Sequence, residues 1–339
     1  MRRYSGLVGS VIAGCLVAGC SALPGLSSGA EPAPSTPAPS ATATPAPGLS
    51  EQEATAIIKD YIDRNNVANK ARSDKLLAEY EGGSSLAIDK AAYSSSRILH
   101  KTTEYQPFGY TRPTFYPSTG GERPWLLTLA HWQRKKDIAK EATYLLFTRE
   151  GDAWRQVYSP DTFDGTSPEE LPAIAKDASG AATEVGQDDT GLVMSPADFA
   201  ANYAAHLAGK GGAKAAKTRF AADRLTTNAA AKRREMTKFA RVSEVTRTTR
   251  YPSYAVRTSD GGALAFTTLQ RTRRYDVRQG PEKYYVFQKD SGLLRGKYST
   301  YMKATDLVQV VAHIPPKGAE PAQIKVLGSY SGLVAGSGR

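Results

Sequence analysis

The chain has 339 residues, with 44 Lys+Arg against 33 Asp+Glu, a formal net charge of +11, and two cysteines. That length is ample for a buried core, and both cysteines lie before residue 21, which excludes a disulfide framework for everything that follows. A positive balance bears on solubility and anionic partners rather than on fold.

The amino terminus places Arg2 and Arg3 before an apolar run from Leu7 to Leu16, then the small-residue segment Val17-Ala18-Gly19-Cys20. Positive start, short apolar run and small residues at the cut define a secretory signal. The run is too short for a membrane-spanning helix, which needs roughly 20 residues. The segment resembles a bacterial lipobox, which implies a thioether-linked diacylglycerol on Cys20 and cleavage just before it. Ile12-Ala13-Gly14-Cys15 also fits the pattern but leaves a shorter apolar run, so Cys20 is preferred as the lipid site. Residues 1–19 are then the signal, and the expected location is the extracytoplasmic face of the cell membrane. Two acyl chains suffice for stable anchoring, at ~0.8 kcal/mol per buried CH₂.

Residues 20–48 form the expected stalk. From Ser21 to Gly48 the chain is almost entirely Ala, Pro, Ser, Thr and Gly. It holds too little apolar surface to order itself. Its prolines favour extended polyproline II at ~3.1 Å per residue, a maximal reach on the order of 80 Å. Ser and Thr beside Pro are compositional candidates for glycosylation.

The remainder reads as α+β, in two tandem related modules: residues 49–160, and a basic module over 194–339, joined by an acidic connector over 161–193. Ser50 with Glu53 is a capping box, and Ser195-Pro196-Ala197-Asp198 is a second helix start. Apolar positions recur at helical spacing after each, at Ala54, Ile57, Ile58 and Tyr61, and at Phe199, Ala200, Tyr203 and Leu207. Further helix is expected over Asn66 to Tyr80 and Thr218 to Ala240. Then come β-rich runs around Gly120-Gly121 and Gly261-Gly262, each a hairpin signal. Hairpins are expected again around Glu150-Gly151-Asp152, between Arg271–Arg278 and Lys283–Phe287, and between Leu307–Ile314 and Gln323–Tyr330. A short helix is expected after Ser167-Pro168. Helices first and antiparallel strands after predict helices packed on one face of a curved sheet. By element order alone this resembles the cone-like nuclear-transport-factor-2 fold.

Charge divides unevenly. Residues 51–194 hold 17 Lys+Arg against 22 Asp+Glu, and residues 195–339 hold 25 against 10. Lys232, Arg233, Arg234, Arg271, Arg273, Arg274 and Arg278 are the candidate contacts for an anionic partner, with a solvated basic surface as the plain reading. Other basic residues cluster at Lys210, Lys214, Lys217 and Arg219. Anionic wall polymer, phospholipid headgroups and an acidic protein are the partners considered. Arg274-Tyr275 and Lys283-Tyr284-Tyr285 would suit base stacking, but an exported lipoprotein seldom meets nucleic acid, so none is expected.

Catalytic signals are sparse. The four histidines, His100, His131, His206 and His313, form no i, i+4 pair, and neither a metal site nor a cofactor is expected. Outside the expected stalk no Gly-x-Ser-x-Gly elbow, Ser-x-x-Lys motif or phosphate-cradling loop occurs. Trp125 and His131 share a strand parity, so they form a candidate pocket at the mouth of the first sheet, with ordinary core packing as the competing expectation. The lipobox, the Pro/Ala/Thr stalk and the Ala- and Arg-rich tandem region together resemble secreted actinobacterial lipoproteins of uncharacterised function. The reading is therefore a non-enzymatic, membrane-anchored binding module; the alternative is a solute-binding or hydrolytic module using the Trp125/His131 pocket.

Overall fold

A computed structural model describes residues 49–101, 104–119, 123–209, 219–281 and 283–339. The lipobox with Cys15 and Cys20, the stalk, Gly120-Gly121, and Lys210, Lys214 and Lys217 lie outside the described residues.

Local chemistry sets the helix starts. Helix α1 (Glu51–Ala71) begins at the capping box, where the Glu53 carboxylate accepts from the Ser50 backbone N–H at 2.8 Å and Ser50 Oγ accepts from Glu53 N–H. It stops at Arg72 in the left-handed region, φ 48°. A single turn, α2 (Asp74–Leu77), leads to α3 (Gly83–Ile98). Beyond the strands of the first half, α4 (Pro196–Leu207) opens on Ser195 with Pro196 in its first turn. Helix α5 (Arg224–Met236) is capped by Asp223, which also accepts from the Tyr203 hydroxyl at 3.0 Å.

The strands are β1 (Gly109–Pro117), β2 (Trp125–Arg134), β3 (Asp137–Glu150), β4 (Ala153–Tyr158), β5 (Asp161–Thr162), β6 (Ala240–Thr248), β7 (Tyr254–Arg257), β8 (Ala263–Val277), β9 (Tyr301–Ile314) and β10 (Lys325–Gly338). All belong to one sheet with the order β1-β2-β3-β5-β10-β9-β8-β6, β4 pairing with β3 and β7 with β8. The pairings between these strands are antiparallel. Two-residue β5 is the join. Thr143 of β3 pairs with Asp161, and Gly328 of β10 pairs with Thr162. Gly328 is required there, because a Cβ at that position would lie 2.2 Å from the Asp161 carbonyl oxygen.

Side-chain alternation on the long strands distributes the core. On β2, Leu126 faces the helices of the first half with Tyr61, Tyr80, Tyr93 and Phe147. Trp125 and Leu127 face the other way, into a cluster with Tyr144, Tyr158, Val256, Leu264, Phe266 and Val311. On β8, Leu264 and Phe266 enter that shared cluster, while Ala263, Ala265 and Leu269 pack with Phe199, Tyr203 and Leu207 of α4. The two halves therefore share one core layer.

A buried polar network crosses the same seam. Gln309 Nε2 lies 2.9 Å from the Oγ atoms of both Ser84 and Ser85, and 3.0 Å from the Val157 carbonyl. Gln309 Oε1 accepts from Ser159 N–H at 2.8 Å. Thr268 Oγ1 lies 2.7 Å from Ser84 Oγ and donates to the Tyr158 hydroxyl oxygen at 3.1 Å. These groups are hydrogen-bonded to one another, as buried polar groups must be bonded to some partner.

The α+β class with a large antiparallel sheet and few helices stands; two tandem modules and the nuclear-transport-factor-2-like cone are not confirmed. Residues 161–193, expected to connect modules, bridge both halves: Ala182 pairs with Ser118, and Ile174 and Glu184 pair with Thr258 and Val256. The short helix after Ser167 is a 3-10 turn at Pro168–Glu170. Of the expected Arg271–Arg278 arm, residues 271–277 are the far half of β8, paired with β6 and β9, not one arm of a hairpin with Lys283–Phe287. That second arm makes one bridge, Val286 with Tyr298. Ala240, expected to close a helix, begins β6.

Candidate functional site

The expected pocket is filled. Trp125 is 3% exposed and belongs to the shared cluster between the halves. Tyr144 and Phe266 meet edge to face across that cluster, with ring centroids 5.9 Å apart. His131 is half-buried, its Nδ1 3.1 Å from the Ala139 carbonyl oxygen on the neighbouring strand, a contact that orients the ring. Among the described residues the histidine–carboxylate contact is elsewhere: His313 Nε2 to Asp260 Oδ2 at 3.1 Å, beside the Gly261-Gly262 turn. No three His, Cys, Asp or Glu side chains among the described residues come together as a metal site.

The seven basic candidates separate into two sets. Arg233, Arg271 and Arg273 are held inside the fold. Arg271 grips Glu244 through two bonds, Nε to Oε1 at 2.6 Å and a terminal nitrogen to Oε2 at 3.0 Å. Arg233 reaches the same carboxylate at 3.1 Å and the Leu207 carbonyl at 2.9 Å, so one buried anion serves two guanidinium groups. Arg273 donates to Asp306. Burial pushes the Asp306 carboxyl above the usual carboxylate range, against the pull of Arg273. The remaining four are exposed. Lys232 pairs with Glu235 at 2.9 Å. Arg274 pairs with Asp276 at 2.7 Å and lies 4.4 Å over the Tyr301 ring. Arg278 donates to the Thr237 carbonyl at 2.9 Å, and Arg234 is exposed on α5.

The sequence reading passed over a cleft of about 850 Å³ between the two halves. Helix α3 supplies Lys90, Ser94 and Arg97, the β6–β7 connection supplies Thr249, Arg250 and Tyr251, and β8 supplies Gln270. Arg97 is committed, donating to Asp74 at 2.9 and 3.1 Å and to the Arg72 carbonyl at 2.6 Å. Thr249 donates to the Thr268 carbonyl at 2.9 Å, which pins the connection to β8. Among the described residues Lys90 and Arg250 have no acidic partner, so the cleft presents two available cations beside hydroxyl and amide groups. This arrangement suits an anionic, hydroxyl-bearing ligand. A smaller hollow, about 440 Å³, contains Arg219, which donates to Asn202 at 3.0 Å.

The chain belongs to a family defined so far only as a domain of unknown function, DUF8094, which matches residues 45–338. It is similar to an uncharacterised lipoprotein of Streptomyces avermitilis, 27% identical over 303 residues, covering 85% of this chain and 86% of that protein. An uncharacterised lipoprotein of Streptomyces coelicolor is 25% identical over 297 residues, covering 84% and 85%. No solved structure matches the chain. The expected resemblance to actinobacterial lipoproteins is thus shown, and lipoproteins of this kind are membrane-anchored outside the cytoplasm. Among the described residues no helix is long and apolar enough to cross a membrane.

Proposed function

We propose that this protein is a non-enzymatic binding lipoprotein, anchored through Cys20, that holds an anionic envelope component in the cleft between α3 and the β6–β7 connection. One observation carries this reading: Lys90 and Arg250 both line this cleft, while three of the sequence-predicted cations are already paired within the fold. A phosphate- and hydroxyl-bearing wall polymer matches that lining better than a bare acidic protein surface, because Ser94, Tyr251 and Gln270 offer hydrogen bonds beside the two charges. Attraction of this type is screened within about 8 Å at physiological ionic strength, so affinity should fall as salt rises.

Calorimetric titration of the protein with poly(glycerol phosphate) tests this. Lys90→Ala and Arg250→Ala are each expected to weaken binding up to about fivefold, at about 1 kcal/mol per exposed charge contact. Binding that ignores salt, or that neither variant reduces, removes the proposal; capture of an acidic protein in place of the polymer redirects it. Anchoring has its own test: Cys20→Ser should release the protein from the membrane fraction.

A further inference from the structure

The most exposed aromatic rings of the described residues border one buried cluster of the second half, that of Met236, Ala240 and Val286. Phe239, Tyr285 and Phe287 are 39%, 44% and 54% exposed, and no other aromatic side chain described is comparably open. Isolated exposed apolar residues need no explanation, but a group does. Local structure produces this one. Val286 forms a backbone bridge with Tyr298, through hydrogen bonds of 3.0 and 2.9 Å. Its side chain is buried with Met236, Tyr275, Val277 and Met302. In an extended segment neighbours point the opposite way, so anchoring Val286 turns Tyr285 and Phe287 outward, their rings 6.1 Å apart. Phe239, just past the end of α5, meets Tyr284 edge to face at 6.1 Å. The rings are thus held out by packing behind them.

Cations surround them. Lys297 Nζ sits 4.6 Å over the Tyr285 ring. Lys283 and Lys289 flank the aromatic segment, Lys238 precedes Phe239, and Arg295 lies in the returning loop; all are exposed. Unlike Arg271 and Arg273 deeper in the sheet, none of these five has an acidic partner among the described residues.

We propose that this face docks the folded body onto anionic phospholipid headgroups of the membrane that carries its lipid anchor. The proposal rests on the lipoprotein assignment and not on the cleft. Tyr settles at the headgroup level, Phe buries its apolar ring at the headgroup–acyl boundary, and each adjacent Lys or Arg contributes about 1 kcal/mol toward an anionic leaflet. The chain between Cys20 and Leu49 is long enough to let any face of the body turn to the bilayer, at ~3.3–3.6 Å per residue when extended. Tethering also raises the local concentration, so a patch too weak to recruit the protein alone can still set its orientation.

The test places an environment-sensitive fluorophore on a single introduced thiol, Phe287→Cys or, separately, Phe239→Cys. The acylated full chain carries Cys15→Ser and is reconstituted in vesicles. A probe at Val67→Cys, on exposed α1, serves as control. In phosphatidylglycerol vesicles the probes at 287 and 239 should shift to the blue and the probe at 67 should not. In phosphatidylcholine vesicles the shift should fall at least threefold, and Lys283→Glu with Lys289→Glu and Lys297→Glu should abolish it. Absence of a shift at both positions in phosphatidylglycerol overturns the proposal. So does an equal shift at position 67, an equal shift in phosphatidylcholine, or insensitivity to the three charge reversals. Polymer binding by the cleft is measured separately and does not depend on the outcome.

Discussion

The two halves use ionisable residues in opposite ways. In the first, charge pairs lie on the helix surface: Lys59 with Asp63 and Arg64 with Asp60 are exposed neighbours one turn apart. Its buried acid, Glu81, sits beside another acid, Asp89. In the second half the buried carboxylates Glu244 and Asp306 are each clasped by arginine. The basic surplus of residues 195–339 is therefore partly spent inside the sheet. What remains for an outside partner is the exposed remainder near Phe239, Tyr285 and Phe287, together with Arg250 at the cleft. Net charge locates a partner only after the internally matched residues are subtracted.

The sharpest break of this contrast is Glu244→Ala. It leaves Arg233 and Arg271 facing each other in a mostly buried site with no anion between them. Removing one partner of such a pair costs about 3–5 kcal/mol, and denaturant titration should read a loss in that range. Lys59→Ala, at an exposed pair of the first half, should leave the midpoint within experimental error. If both variants behave alike, the distinction between clasped and surface charge fails.

Gln309→Leu is next in size and addresses whether the halves are one folding unit. It removes one of the partners of Ser84 and of Ser85, which keep Thr268 and Gln156 respectively, and leaves Ser159 N–H without its acceptor. Leaving a buried donor unpaired costs about 1–3 kcal/mol. The loss should lower one shared midpoint. Trp125, Trp132 and Trp154 all lie in the first half, so their fluorescence reports that half while far-ultraviolet dichroism reports both. Coincident curves are expected for both native and variant protein; separated curves would restore two independent modules.

Much of the secondary structure was legible because its signals are local. Ser50 with Glu53 and Ser195 with Pro196 mark real helix starts, and Gly261-Gly262 closes the β7–β8 hairpin with Gly261 at φ 84°. Helix α3 was missed, since Gly82-Gly83-Ser84-Ser85 is a poor helix opening by propensity. It is held by tertiary contacts instead: Gly82 N–H donates to the Gln156 carbonyl at 3.0 Å, and the two serines join the central network. Strand β6 was hidden behind the helix-forming run of α5, although Val242, Val245 and Thr246 carried a β signal. The arginine pairings depend on register. Glu244 lies opposite Arg273 and Arg271 opposite Asp306, yet the ion pairs run diagonally. Neither the register nor the diagonal can be read from composition. The cleft joins α3 to a turn well over a hundred residues later, a juxtaposition with no local signature.

The smallest effect sharpens the comparison from the acidic side. Glu81 is fully buried, and burial first, then the neighbouring Asp89 charge, raises its carboxyl well above the usual range. A carboxyl whose folded pKa lies above its unfolded value, about 4.3, binds its proton more tightly when folded. Its contribution is then fully present below about pH 4.3 and is lost as pH rises toward the folded value. Glu81→Gln keeps the shape and removes the proton. The variant should match the native protein at pH 4 and exceed it at pH 7, by on the order of 1–2 kcal/mol. The gain should grow with pH across that interval in denaturant titrations. A gain that is flat with pH would mean that the Glu81 carboxyl is not raised by the fold. A loss at pH 7 would mean that the ionised Glu81 is stabilised in the fold, removing the contrast with the arginine-clasped carboxylates of the second half.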